Sequence, residues 1–257
     1  MAELPDLTVF ASTLNHKFKG KKLEKLDVVV AKKINVSSAE LKSKLEGQKL
    51  EKVARVGKTL QFHFGKSDIL GLHLMLRGEL REIQKDDEAP KHSILIFHFT
   101  GKNTFAVIDT LKQATPTLNP AENKVPDALE ISEGDFLTLL SKRSKKIKEV
   151  LMDQKAIRGI GNSYADEILW AARISPFSIA KSIPENVAKQ LLATITEVLS
   201  EAIRDIKKEN KDELRGELRD FMKIHGSKIE RSPTGKLIKS ETIGGRTAYF
   251  TSEQKLY

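Results

Sequence analysis

The sequence predicts an α+β fold with a β-rich N-terminal half, a helical second half and a terminal β-hairpin. Short segments in which apolar and polar residues alternate dominate residues 23–112, and apolar residues at helical spacing dominate residues 128–224. Two more β-rich segments flank Gly244-Gly245. A chain of 257 residues is long enough to bury two modest cores.

The β-rich half begins with an amphipathic helix over 5–18, in which Leu7, Phe10, Leu14 and Phe18 recur at helical spacing. Several short strands with turn signals between them then predict a β-sandwich. The clearest alternation lies in 94–99, before a predicted hairpin turn at 101–103. The predicted strands are 26–30, 48–55, 59–64, 69–76, 93–99 and 104–108.

The second half follows a segment, 115–127, whose prolines and asparagines predict a linker. Helices are predicted over 132–153, 162–173, 184–208 and 211–224, with Pro176 and Pro184 as breaks. Strands over 237–243 and 246–251 complete the chain. We therefore divide it into a sandwich domain (1–114), the linker (115–127), a helical domain (128–224) and a hairpin (225–257).

The amino-acid composition limits the classes of function that fit this chain. The net charge of +9 suits a polyanion such as nucleic acid, although a lysine-rich solubilising surface explains it equally well. The absence of cysteine excludes disulfides, thiolate nucleophiles and cysteine-based zinc sites. The six histidines are scattered, so we expect neither a metal nor another cofactor. No long apolar segment and no basic-then-apolar leader occur, so we expect no membrane association and a cytoplasmic location.

A glycine-rich segment, 159–161, separates two predicted helices. Asn162 is a favourable N-cap for the second helix, and such a helix start leaves backbone N–H groups free for a phosphate. A basic segment, 142–148, lies just upstream. By themselves these residues fit either a phosphate site or a tight turn between helices that merely needs glycine.

Residues 147–176 closely resemble the helix–two-turn–helix (H2TH) signature of the formamidopyrimidine-DNA glycosylase and endonuclease VIII family. The order of the other motifs agrees with the family across essentially the whole chain. The resemblance implies an N-terminal β-sandwich with a flanking helix, an H2TH domain and a terminal hairpin finger. The other segments that carry it are 2–6 (AELPD), 56–60 (VGKTL), 73–78 (HLMLRG) and 243–247 (IGGRT), with Lys91, His92 and Asp109 at the family's spacing.

The family flips a damaged base out of duplex DNA, attacks C1′ with the N-terminal α-amine and eliminates the phosphates. The resemblance implies that Ala2 supplies the amine once Met1 is removed, and that Glu3 handles protons at the sugar. It further implies that Lys58 assists β-elimination and that Arg246 binds phosphate and assists the final elimination. The DNA-contact positions that it implies are His92, Lys148 and Asn162. Four of these residues, taken singly, also fit an ordinary surface or loop role: Glu3, Lys58, His92 and Arg246.

Three departures from the family pattern change the expectations. The first is Ala2, which replaces proline. Its amine is primary, and the imine that it forms is neutral unless protonated. We therefore expect that excision is slow or that the lyase step is impaired.

The second departure is in the side chains that fill the void in the duplex. Leu111 replaces the arginine that reads the opposite base, Gln113 replaces a phenylalanine wedge and Leu76 replaces a methionine wedge. Leucines still fill a void between base pairs, but the reader of the opposite base is lost.

The third departure is a finger with no cysteine, for which we predict no zinc. The stability that the metal would supply has to come from elsewhere. We predict that an apolar hairpin interior supplies it, made by Ile229, Leu237, Ile238, Ile243, Tyr249 and Phe250.

The leading interpretation is a DNA repair glycosylase with abasic-site lyase activity that excises oxidised bases from double-stranded DNA as a monomer. The rival interpretation is a catalytically silent homologue that binds lesions or abasic sites without excision. A basic scaffold for RNA or another polyanion is a third interpretation, and the chain lacks the aromatic pair of an RNA-recognition motif.

Overall fold

The computed structural model describes residues 1–84, 87–210, 213–214, 216–217 and 221–257. The chain divides into two compact units, one formed by 1–123 with 206–218 and the other by 124–205 with 219–257.

The first unit starts with helix α1 (Leu4–Phe18) and contains two four-stranded antiparallel sheets. The strands are β1 (Leu23–Val28), β2 (Leu50–Val56), β3 (Thr59–Phe64), β4 (Asp68–His73), β5 (Gly78–Ile83), β6 (Ser93–Phe99), β7 (Asn103–Asp109) and β8 (Thr115–Leu118). One sheet has the order β1-β6-β7-β5 and the other β2-β3-β4-β8. A second short helix, α2 (Ser38–Leu45), follows β1.

Phenylalanines from both sheets meet in the core of this unit. Phe62 of β3 stacks on Phe97 of β6 with ring centroids 5.8 Å apart, and Phe97 stacks on Phe105 of β7 at 4.6 Å. Phe18 of α1 packs edge-on against Phe105, so the helix closes the same core. Offset aromatic packing adds to the free energy of simple burial. The predicted β-sandwich with a flanking helix is confirmed.

Three elements of this unit were absent from the prediction. β5 was missed because Glu79, Arg81 and Glu82 dilute its apolar signal, and α2 because only Leu41 and Leu45 of its side chains are buried. β8 lies inside the predicted linker, where it pairs with β4 despite Pro116. Proline lacks an N–H donor but is tolerated on an edge strand, and β8 is the edge of its sheet.

The second unit is helical and ends in a two-stranded hairpin. α6 begins in this unit and is a single helix of 26 residues. A short 3-10 helix, Ala180–Ser182, precedes it. The other elements are α3 (Glu133–Ser141), α4 (Ile147–Met152), α5 (Asn162–Ala171), α6 (Glu185–Asn210), β9 (Lys239–Ile243) and β10 (Arg246–Phe250).

Two helix predictions were wrong. The predicted helix 132–153 is two helices, because the basic residues 142–146 lie between α3 and α4 without helical structure. Like charges at neighbouring helical positions repel one another, which disfavours a helix there. At its described positions the segment 211–224 is not helical, and 211, 212, 215 and 218–220 lie outside the described residues.

The terminal hairpin turns at Gly244 and Gly245, whose φ angles are 56° and 74°. Two consecutive residues with positive φ match the two-residue turn that joins twisted strands, and glycine adopts it without strain. None of the described helices combines the length and apolarity that crossing a bilayer requires.

Candidate active site and nucleic-acid interface

The N-terminus is built into the start of α1. Ala2 and Glu3 are buried, at 3% and 2% exposure. The Glu3 N–H donates to Asp6 Oδ2 at 2.8 Å, in a capping box that fixes the entry of the chain into the helix. The Met1 ammonium forms an ion pair with Glu217 Oε1 at 2.5 Å. Removal of Met1 therefore transfers the α-amine to a residue whose backbone is already fixed.

Lys58 lies in the tight turn between β2 and β3 and is buried. Arg55 ties this turn to α1, because its Nη1 donates to the Gly57 carbonyl at 3.2 Å and its Nε to Thr8 Oγ1 at 3.0 Å. Gly57 itself has a φ of 58°. The lysine is thus carried by a turn that is hydrogen-bonded to the N-terminal helix.

Two exposed leucines flank one register pair in the sheet. Gly78, the first residue of β5, is paired with Asp109, the last residue of β7. Leu76 lies two residues before Gly78 and Leu111 two residues after Asp109, and their side chains are 55% and 48% exposed. A single exposed leucine is ordinary, whereas exposed apolar side chains grouped at one place mark a contact surface. The antiparallel pairing places both at the same end of the sheet.

Asp109 shapes the loop that carries Leu111. Its buried carboxylate accepts the N–H groups of Leu111 at 2.9 Å, Gln113 at 2.6 Å and Ala114 at 2.7 Å. The Asp109 N–H donates to the carbonyl of the exposed His92 at 3.0 Å. The predicted residues His92, Leu111 and Gln113 are therefore organised around a single residue, Asp109, through its backbone N–H and its carboxylate.

In the second unit, Asn162 is placed differently from the prediction. Gly161 is the N-cap of α5, and Asn162 is its first helical residue. The Asn162 side chain instead donates to the Thr247 carbonyl at 3.1 Å, next to Arg246. Arg246 is exposed beside the glycine turn. The start of α5 and the hairpin turn are thus joined by a direct hydrogen bond.

Lys148 is fully buried, which disagrees with a direct contact to a DNA phosphate. Its ammonium lies 2.7 Å from Asp166 Oδ1 and donates to the Thr247 carbonyl at 2.9 Å. That carbonyl is the one that Asn162 also binds. The geometry gives Lys148 a positioning role for the turn that carries Arg246, rather than a place on the surface.

Asp166 and Glu167 of α5 are buried hydrogen-bond acceptors. Asp166 Oδ2 accepts the Tyr249 N–H at 3.1 Å and lies 2.7 Å from His225 Nδ1. Glu167 accepts the N–H groups of Lys223, Ile224 and His225 at 3.0, 2.9 and 2.8 Å. An Asp-Glu pair in the middle of an otherwise apolar helix was the signal that could have revealed them.

The last segment of the hairpin is held by the Glu253 cluster, formed by Ser232, Thr234, Thr251 and Glu253. Thr234 Oγ1 donates to Glu253 Oε2 at 2.8 Å, Thr251 Oγ1 at 3.1 Å and Ser232 Oγ at 3.5 Å. Ser232 and Thr234 precede β9, whereas Thr251 and Glu253 follow β10. One carboxylate therefore cross-links both ends of the hairpin.

The Glu253 cluster is also tied to α5. Trp170 Nε1 donates to Glu253 Oε2 at 3.4 Å, and Arg173 forms an ion pair with Oε1 at 3.0 Å. Partial burial alone would raise the pKa of Glu253. The hydrogen bonds from Thr234, Thr251 and Trp170 and the charge of Arg173 outweigh burial and hold the pKa below 4.5.

The predicted apolar interior of the hairpin was mostly wrong. Of its six predicted members only Ile243 is buried, and Leu237 is 60% exposed. Hydrogen bonds to the carboxylates of Glu253, Asp166 and Glu167 supply the stabilisation instead. Across the described residues, no group of three or more His, Asp or Glu side chains is arranged to hold a metal ion.

Comparison with known proteins identifies the family. The formamidopyrimidine-DNA glycosylase N-terminal domain matches residues 1–115, and the H2TH domain of the same glycosylase matches residues 126–212. A formamidopyrimidine-DNA glycosylase of Listeria monocytogenes is 30% identical, over 97% of this chain and 98% of that protein. The chain belongs to the formamidopyrimidine-DNA glycosylase family. A Lactobacillus gasseri member is 32% identical over 76% of this chain and 75% of its own.

Solved structures of formamidopyrimidine-DNA glycosylases share the fold. The Lactococcus lactis enzyme in complex with DNA containing an abasic site superposes with a TM-score of 0.90 at 25% identity. That alignment covers 99% of this chain and 100% of the other. A MutM complex with DNA containing carbocyclic 8-oxo-G gives a TM-score of 0.89 at 26% identity.

Proposed function

We propose that this chain excises oxidised bases from duplex DNA and cleaves the resulting abasic site through the α-amine of Ala2. The observation that carries the proposal is the pair of exposed leucines, Leu76 and Leu111, at one end of a rigid sheet. Apolar side chains presented in this way fill the space that an extruded nucleotide leaves in the helix. The named relatives are glycosylases, which favours the enzyme over a silent binding homologue.

The chemistry follows from the groups at the start of α1. The Ala2 amine attacks C1′ of the damaged nucleotide, and the base departs with the bonding electron pair after protonation. The ordinary pKa of an α-amine, about 8, leaves a usable neutral fraction at pH 7. Glu3 exchanges protons with the opened sugar, and the Schiff base makes the C2′ proton acidic enough for loss of the 3′-phosphate.

Positive side chains bind and orient the phosphates in this proposal. Lys58 assists β-elimination, while Arg246 binds a phosphate and assists the last elimination. Asn162 and His92 contact the backbone, and no cofactor is required. Because Leu111 occupies the position of an arginine reader, we expect weak discrimination of the base opposite the lesion.

A nicking assay on duplexes that contain 8-oxoguanine, formamidopyrimidine, an oxidised pyrimidine or an abasic site tests the proposal. We expect nicking by the wild type and a loss of about 10²–10⁴-fold in Glu3→Gln, the usual contribution of a general acid or base. Lys58→Ala should slow strand cleavage more than base release. Binding of every duplex without nicking any of them would identify the silent homologue instead.

A further inference from the structure

The loop between β4 and β5 presents the exposed Leu76, and a histidine fixes its shape. We propose that His73 is a positioning residue that holds this loop in the conformation in which Leu76 enters a DNA base step. The inference rests on the proposed function only in taking Leu76 as the side chain that enters the duplex.

The first argument is the geometry of Met75. The Met75 N–H donates to His73 Nδ1 at 3.0 Å. Met75 has a φ of 56°, in the left-handed region that non-glycine residues seldom adopt. Such a conformation persists only where neighbouring contacts enforce it. The hydrogen bond to His73 is a contact of this kind, and it lies immediately before Leu76.

The second argument is the closure of the loop behind Leu76. The Gly78 N–H donates to the Leu74 carbonyl at 2.9 Å, and the Leu74 side chain is buried. A Cβ at Gly78 would collide with the Leu74 carbonyl, so the turn is tight as well as closed. With both ends fixed, the bond to His73 sets the middle of the loop and directs Leu76 outward.

The third argument is the state of the imidazole. Nδ1 accepts a hydrogen bond only when His73 is neutral with its proton on Nε2. Burial lowers the pKa of His73, and the charge of the neighbouring Lys58 lowers it further. The acceptor is therefore present at neutral pH. A preformed loop spares the ordering cost that a flexible loop would incur on binding DNA.

The test uses a duplex that contains a tetrahydrofuran abasic analogue beside 2-aminopurine, whose fluorescence rises when stacking is lost. Because the analogue cannot be excised, the readout needs no catalysis and remains informative if the proposed function fails. We expect His73→Ala to weaken lesion-specific binding by about fivefold in Kd, the effect of one lost hydrogen bond, and to lower the fluorescence change at saturating protein. Affinity for undamaged duplex should be unchanged.

The controls separate positioning from folding. His73→Asn, whose Oδ1 accepts the N–H two residues on, should stay within about twofold of the wild type. His73→Phe, which keeps a ring but no acceptor, should behave like His73→Ala even if the alanine variant is unstable. His63→Ala removes an imidazole from the adjacent strand β3 and should have no effect.

A double-mutant cycle with Leu76→Ala decides whether His73 acts through the leucine. In that background His73→Ala should add no further loss, because residues that act as one unit are not additive. The proposal is overturned if His73→Ala and His73→Phe bind as the wild type does, if His73→Asn is as defective as they are, or if the losses multiply.

Discussion

The ammonium of Lys148 lies 2.7 Å from the carboxylate of Asp166, and both side chains are fully excluded from solvent. A buried ion pair of this kind contributes little net stability, since desolvation of the two charges offsets their attraction. Removal of one partner, in contrast, destabilises the protein, because it leaves the other charge buried and unpaired. The pair connects α4 to α5, and the Lys148 bond to the Thr247 carbonyl extends it to the hairpin turn.

Lys148→Met should therefore destabilise the protein by about 3–5 kcal/mol, measured by chemical denaturation. Lys148→Met combined with Asp166→Asn should recover part of that loss, because Asn still accepts the Tyr249 N–H and carries no charge. Full recovery of stability is not expected, since Asp166 also bonds His225.

The salt dependence of DNA binding distinguishes positioning from phosphate contact. Each phosphate contact makes the slope of the logarithm of the binding constant against the logarithm of the salt concentration more negative by about 0.9. Arg246→Gln should make the slope less negative by about this amount, and Lys148→Met added to Arg246→Gln should change it no further. The exposed Lys145, changed to Gln, serves as a control for generic charge loss on the basic segment. A further change of slope on adding Lys148→Met to Arg246→Gln would show that the Lys148 ammonium reaches a phosphate itself.

Glu253→Gln should lower the thermal midpoint at neutral pH by roughly 2–4 °C, the shift that weakening one hydrogen-bonded centre causes in a protein of this size. Because the folded pKa of Glu253 lies below 4.5, its carboxylate stabilises the fold above that pH. The stabilisation is lost as the pH falls through the folded value. The two proteins should thus converge in acid, as circular dichroism melts at several pH values will reveal. A constant difference down to strongly acidic pH would contradict the ionic role.

The contribution of Glu167 to stability depends on pH in the opposite sense to that of Glu253. Burial raises its pKa above 4.5, although three backbone N–H bonds oppose the shift. The folded state therefore holds the proton more tightly than the unfolded chain. Consequently, the contribution of this group to stability falls as the pH rises from 4.5 through the folded value.

Glu167→Gln should remove this pH dependence and cost about 1–3 kcal/mol at neutral pH, since an amide N–H then faces the Lys223 N–H. Glu201→Gln is the matched control, because Glu201 forms an exposed ion pair with the Lys223 ammonium. That pair should contribute no more than about 1 kcal/mol. Denaturation curves between pH 4.5 and 8 measure both variants.

The Ala2 amine should form a Schiff base that borohydride traps on abasic-site DNA, and peptide mass spectrometry should locate the adduct at Ala2. Ala2→Pro should raise the single-turnover lyase rate, because a secondary amine forms a charged iminium without a separate protonation. A duplex with no abasic site is the control for non-specific reduction. An adduct on Lys58 in place of Ala2 would falsify the proposed nucleophile.

Strong periodicity made part of the fold predictable. The bounds of β3 and β6 agree with the sequence prediction, because β3 alternates apolar and polar residues throughout and β6 is an almost continuous apolar segment. The bounds of α1 were also predicted closely from its apolar spacing. The six-residue strand β5 was not predicted, because its polar side chains interrupt the alternation of apolar and polar residues.

The site was less predictable, because its organising residues act through specific side-chain contacts, some local and some distant in sequence. Asp109 and His73 bond the backbone of nearby loop residues, which a motif alone does not reveal. Lys148 meets Thr247 across 99 positions of the chain. The resemblance to the family located Lys148 and Asn162, but only the structure separated a buried positioning lysine from a surface contact.

The Glu253 cluster gives this finger an unusual chemical durability. Peroxide oxidises thiolates to sulfenic and then to irreversible sulfinic acids, and a zinc site built from thiolates is open to that damage. Hydroxyl and carboxylate side chains do not undergo these reactions, and Ser232, Thr234, Thr251 and Glu253 contain no sulfur. The hairpin that carries Arg246 is thus held by groups that peroxide does not oxidise.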